Sequence, residues 1–175
     1  MPTEVKGAIE LRRALRQFEP DLAKSTDKEI RAVLKPMVNK ARGFMPANKD
    51  MPSGWLKRDN AQGKWATRFY DQSLAKRGIV SKIGGSKSNN KGWKSIAAIL
   101  NKSAGGAIYE TAGRKSGIVG RFTPNLPEAH GIQGKTQKMS GRAIFKAAFQ
   151  DEGKATAGVQ KALKTAEDKF YGRTR

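Results

Sequence analysis

The sequence predicts an α+β fold: a small antiparallel sheet packed by an N-terminal helix pair and a C-terminal helix, with long irregular arms. Three observations carry this expectation. Apolar residues recur at steps of three and four near both ends of the chain, the period of a helix with one buried face. Between them lie two short apolar runs, Ile79-Val80 with Ile83 and Ile96 to Leu100, parted by glycine, serine and asparagine. That is the pattern of two strands and a hairpin loop. The stretches 46–66 and 114–141 hold glycines and prolines without periodicity, so neither reads as a regular element.

In chain order, Val5, Ala8, Leu11, Leu15 and Phe18 predict a first helix over about residues 4–17. Glu19-Pro20 ends it, because the residue before proline avoids the helical region. Pro20 suits the first turn of a second helix, and Thr26-x-x-Glu29 offers a later start as a capping box. Ile30, Val33, Leu34, Met37, Val38, Ala41, Phe44 and Met45 form its apolar stripe. Pro36 falls inside that stripe and should kink it, since proline lacks the N–H that would bond residue 32. Trp55 and Trp65 sit among charges in the irregular segment and read as core plugs that tether it. Strands are expected over about 77–83 and 94–101, with a basic tip over 84–92, and a short apolar turn or helix over 104–113. Residues 142–170 supply the last stripe, in which Val159, Ala162, Leu163, Ala166 and Phe170 keep helical spacing. The core residues expected from these patterns are Val33, Met37, Phe145, Phe149, Leu163 and Phe170, with the last four packed against the 30–45 stripe or the strands.

A chain of 175 residues fits one domain. The expectation is a single α+β domain over 1–175: helices over 1–45, an irregular segment over 46–75, a basic hairpin and turn over 76–113, a long loop over 114–141, and a C-terminal segment and helix over 142–171. The sequence has no cysteine, which excludes disulfides and thiolate metal sites. No apolar run approaches the roughly 20 residues a membrane span needs, and the first residues do not follow a signal-peptide pattern. Synthesis in the cytoplasm is expected.

Charge is the dominant compositional fact: 35 basic against 15 acidic side chains, net +20. No acid falls between Asp71 and Glu110, a stretch that holds Lys76, Arg77, Lys82, Lys87, Lys91, Lys94 and Lys102. Such a field repels copies of itself and attracts polyanions or acidic protein surfaces. These seven residues are the expected contact patch for a partner or for DNA.

Catalytic and cofactor signatures fail on inspection. Ala129-His130-Gly131-Ile132-Gln133-Gly134-Lys135-Thr136 fits a permissive phosphate-binding loop, but Thr123-Pro124-Asn125-Leu126-Pro127 precedes it where a buried strand belongs. His130 is the only histidine, so it forms no two-histidine metal site, and no triad partner stands near it in sequence. The chain is expected to be non-enzymatic, with no cofactor and no metal.

The order of parts carries a resemblance. Leu34-Lys35-Pro36-Met37-Val38-Asn39-Lys40-Ala41-Arg42-Gly43-Phe44-Met45-Pro46 is followed by the basic strand Lys76-Arg77-Gly78-Ile79. Then come Ala107-Ile108-Tyr109-Glu110-Thr111-Ala112-Gly113-Arg114-Lys115 and Arg142-Ala143-Ile144-Phe145-Lys146-Ala147-Ala148-Phe149 before a terminal helix. This resembles the neck and tail-completion proteins of long-tailed bacteriophages, the head-to-tail connector group, in the form found in actinobacterial phages. The turn at Tyr109, Glu110 and Gly113 and the aromatic-alanine segment are the matching parts, while 114–141 and Trp55–Trp65 fall outside the match. The resemblance implies a ring subunit of the virion neck between capsid portal and tail tube. Its expected partners are copies of itself, neighbouring connector and tail proteins, and, as a further candidate, DNA passing the channel without sequence-specific contact. A tail terminator ring and a free-standing basic nucleic-acid-binding protein are the alternatives. The second rests on charge alone, since no helix-turn-helix, zinc knuckle or aromatic RNA-binding motif is visible.

Overall fold

The computed structural model describes residues 7–56, 69–84, 95–127, 129–132 and 138–173. Among them are six helices and one two-stranded antiparallel sheet, the α+β class expected. Helix α1 (Ala8–Phe18) stops at Glu19, whose φ of −137° leaves the helical region just before Pro20. Helix α2 (Pro20–Gly43) starts at the proline itself. Thr26 is no cap: it is buried mid-helix, and its hydroxyl donates back to the Leu22 carbonyl at 2.7 Å. Leu22, Ile30, Leu34, Val38, Ala41 and Met45 form the buried stripe of this segment, and Pro36 lies within the helix.

Strands β1 (Ile79–Ile83) and β2 (Ala97–Asn101) pair so that Gly84 N donates to Ile96 O and Lys102 N to Gly78 O. Both strands are shorter than expected, and β1 starts late because helix α3 (Gln72–Gly78) takes the residues just before it. Asp71 caps α3, its carboxylate accepting from Leu74 N at 2.8 Å. Helix α4 (Ala104–Thr111) is capped in the same way by Ser103, whose hydroxyl accepts from Gly106 N. Asn101 ties these ends together. Its amide donates to Ala75 O at the end of α3, and its oxygen accepts from Ser103 N and Ser103 Oγ. The C-terminal region is two helices, α5 (Ile144–Gln150) and α6 (Lys154–Arg173). Between them Glu152 at φ 51° and Gly153 at φ 82° reverse the backbone, which an α-helix does not tolerate.

The expectation of one domain over 1–175 meets two compact units, Met1–Pro36 with Ser81–Ala98 and Asp151–Arg175, and Met37–Val80 with Ile99–Gln150. In the first, Leu15, Leu22 and Ala166 form a buried cluster flanked by Leu11, Ala23 and Phe170. Helix α6 approaches α2 closely at Gly158, where a Cβ would lie 2.5 Å from Val33 Cγ1. In the second unit, Val38, Ala41, Trp55, Tyr70, Tyr109 and Ala147 belong to one larger core.

The described parts of the irregular segments are anchored there by aromatic side chains. Trp55 is buried, its ring 5.4 Å from Tyr70 and edge-on to Phe122 at 5.0 Å. The Tyr70 hydroxyl donates to Pro46 O at 2.7 Å and the Tyr109 hydroxyl to Pro127 O at 3.1 Å. Trp65 lies outside the described residues.

The expected core list needs correction. Leu163 is buried, whereas Val33, Met37 and Phe170 are half-buried. Phe145 and Phe149 are exposed, at 39% and 72% of their surface. The cause is the rotation of α5. Ala143 and Ala147 face inward, four residues apart, so Phe145 and Phe149, also four apart, share a different face.

Candidate assembly interface

Two buried charges fix the orientation of α5, and both were within the segments singled out by sequence. Glu110, at the end of α4, turns its carboxylate to the start of α5. It accepts from Ala143 N at 2.7 Å, Ile144 N at 3.1 Å and Phe145 N at 3.0 Å. It thereby takes up backbone donors that a helix start leaves without intrahelical partners, and its negative charge suits that end of the helix.

Arg142 does the converse for α4. Its Nη1 donates to Tyr109 O at 2.7 Å and Ala112 O at 2.6 Å, at a helix end where carbonyls lack partners. Its guanidinium carbon also lies 5.5 Å from the centre of the Tyr109 ring. Arg142 is fully buried. Desolvation lowers its pKa, while Tyr109 and Glu110 act in the opposite direction. Its Nε and Nη2 meet no acceptor among the described residues, a cost the two short charge-assisted bonds must offset.

Tyr109, Glu110 and Gly113 therefore form one half of a latch. Gly113 is buried at φ 91°, with the Gly117 carbonyl oxygen 3.3 Å from where a Cβ would sit. Gly141, next to Arg142, is equally confined: a Cβ there would fall 2.6 Å from Glu110 Oε1. Sequence reading marked these positions as a turn and missed the reciprocal capping. The available signal was a carboxylate in the last turn of one helix and an arginine just before another helix start.

The latch presents Phe145 and Phe149 outward. The Arg114 guanidinium lies 4.4 Å over the Phe145 ring, a cation–π contact. His130 lies 5.0 Å from the Phe149 ring, held there because residues 130 and 141 form an antiparallel bridge. The sole histidine is thus placed against an exposed phenylalanine. Val119, Phe122 and Ile132, all from the 114–141 segment, are exposed in the same unit. Arg114, Lys115, Arg121 and Lys138 are exposed there too. The only acids described in this unit are Asp50, Asp71 and the buried Glu110.

Of the expected basic patch, Arg77, Lys82 and Lys102 are exposed and Lys76 is half-buried. Lys87, Lys91 and Lys94 lie outside the described residues, as does the expected hairpin tip beyond Gly84. Among the described residues no group of three histidines or acids could hold a metal ion, and no helix is long and apolar enough to cross a membrane. No protein family, curated protein or solved structure matches the chain.

Proposed function

We propose that the chain is a non-enzymatic structural protein of a tailed-phage virion, a ring subunit of the neck that joins the DNA-filled head to the tail. The observation that carries this reading is the α5 face. Two exposed phenylalanines stand on a helix whose rotation is held by buried charges. Aromatic side chains that leave the core in this fixed way are suited to burial against another protein, where they supply much of the binding energy. In the connector that protein is the neighbouring subunit of the ring. The resemblance rests on the same segment, since Tyr109, Glu110, Arg142, Phe145 and Phe149 fall in its matching parts. Net charge of +20 favours acidic neighbours or DNA as further partners.

Deleting the gene in its phage and supplying it from a plasmid tests the reading. Without the chain, lysates should contain filled heads and separate tails, and complementation should restore joined particles. Joined, infectious particles made without the chain would overturn it.

A further inference from the structure

We propose that the arginine face of α1 is a docking site for the phosphodiester backbone of double-stranded DNA. A cleft of about 210 Å³ is lined by Ile9, Arg12, Arg13, Arg16, Ser95 and Ile96, with no carboxylate in its wall. Three arginines therefore line one cleft beside Ile9 and Ile96, where low-dielectric walls concentrate the positive field. Among the described residues one acid pairs with them. Asp27 accepts from Arg12 Nη2 at 2.6 Å and stands 3.5 Å from Arg16 Nη2.

The three arginines differ in what they have left to offer. Arg12 is buried and held by Asp27. Arg16 leaves 58% of its side chain exposed, and its distance to Asp27 exceeds the 2.7–2.9 Å or so of a tight charge-assisted bond. Arg13 is exposed and has no partner among the described residues. Arg13 and Arg16 are thus free to present planar forks to an anion, the geometry that matches phosphate oxygens. The end of β1 adjoins this face. A Cβ on Gly84 would lie 3.9 Å from Arg12 Nη1, and Lys82 on β1 is exposed.

The arrangement favours a polymer of charges over a single ion. Arg13 and Arg16 are separated by about 4.5 Å along the helix, a span over which a DNA duplex presents roughly two to three backbone charges. The one buried donor in its lining, Arg12, is engaged by Asp27, so among the described residues the cleft offers no spare buried donor of the kind that encloses a small anion. Its contacts are to backbone phosphate and carry no base readout.

The test is fluorescence anisotropy of a labelled random-sequence duplex with the full chain over a series of salt concentrations. Arg13→Gln, Arg16→Gln and the double variant are compared with the wild type, and Arg13→Lys with Arg16→Lys serves as a charge-keeping control. The slope of log affinity against log salt should become shallower by about 0.9 for each phosphate contact removed, and the lysine pair should recover it. Arg13 has no partner to lose among the described residues, so Arg13→Gln alone keeps the test valid if the double variant melts early. An unchanged slope and affinity would overturn the proposal. So would loss of polyglutamate binding with duplex binding intact, which would assign the cleft to an acidic protein. Duplex binding is read on the isolated chain, so its outcome is independent of whether particles join.

Discussion

Glu110 is a carboxylate removed from water, which is tolerable only when its oxygens are fully engaged. Three backbone N–H groups do this, so truncating the side chain strands three donors at once. Glu110→Ala should destabilise the fold by about 3 kcal/mol, measurable by urea denaturation. A loss within about 0.5 kcal/mol would show that the capping contributes little. Tyr70 offers a pH-dependent check. Burial, with Asp71 and then Asp50 adding to it, raises its pKa above the ordinary value of 10.0. Below pH 10 the phenol is neutral in folded and unfolded chains alike, and its contribution is complete. As pH climbs past 10 the unfolded chain gives up the proton first, so stability should fall. Tyr70→Phe should flatten that fall while losing about 1 kcal/mol at neutral pH with the bond to Pro46 O. Melting curves of the two proteins across alkaline pH decide it. The sequence made the Tyr109-Glu110 turn recognisable but not its role. A cap supplied from 33 residues away leaves no mark in local spacing.

Periodic elements were the most legible. The stripes of α1, α2 and α6 come from local spacing, and local spacing survives folding. Helix α3 was missed because Lys76-Arg77-Gly78-Ile79 was read as the start of a strand. The overlooked signal was Asp71 as an N-cap, with two basic residues in the last turn before Gly78. The core error at Phe145 and Phe149 has a different origin. Hydrophobicity identifies an apolar residue, but the rotation of a seven-residue helix is set by tertiary bonds to its ends. Phe149, 72% exposed, should therefore tolerate alanine with a change within about 0.5 kcal/mol. A fully enclosed phenylalanine would lose about 3–5 kcal/mol. Chemical denaturation separates the two. Gly158 predicts the opposite behaviour. A methyl group there meets Val33 Cγ1 at 2.5 Å, so Gly158→Ala should cost about 1–3 kcal/mol despite the better helix propensity of alanine. An unchanged or raised melting point would mean that α6 shifts freely away from α2.

At the scale of the whole chain, a net charge of +20 and an outward aromatic face pull in different directions. The charge makes copies repel one another, while the face has apolar surface to bury. A virion neck reconciles them if neighbouring acidic surfaces or DNA neutralise the charge once subunits are brought together. Charge and composition were legible in the sequence. The exposed α5 face was not, because it is made of residues whose hydrophobicity alone assigns them to a core. The most direct test is electron microscopy of phage carrying Phe149→Asp, alongside a melting curve of the purified variant. An unchanged melting point together with filled heads and separate tails is the predicted result. Normally joined, fully infectious particles from a folded Phe149→Asp protein would contradict the assignment of the α5 face to assembly.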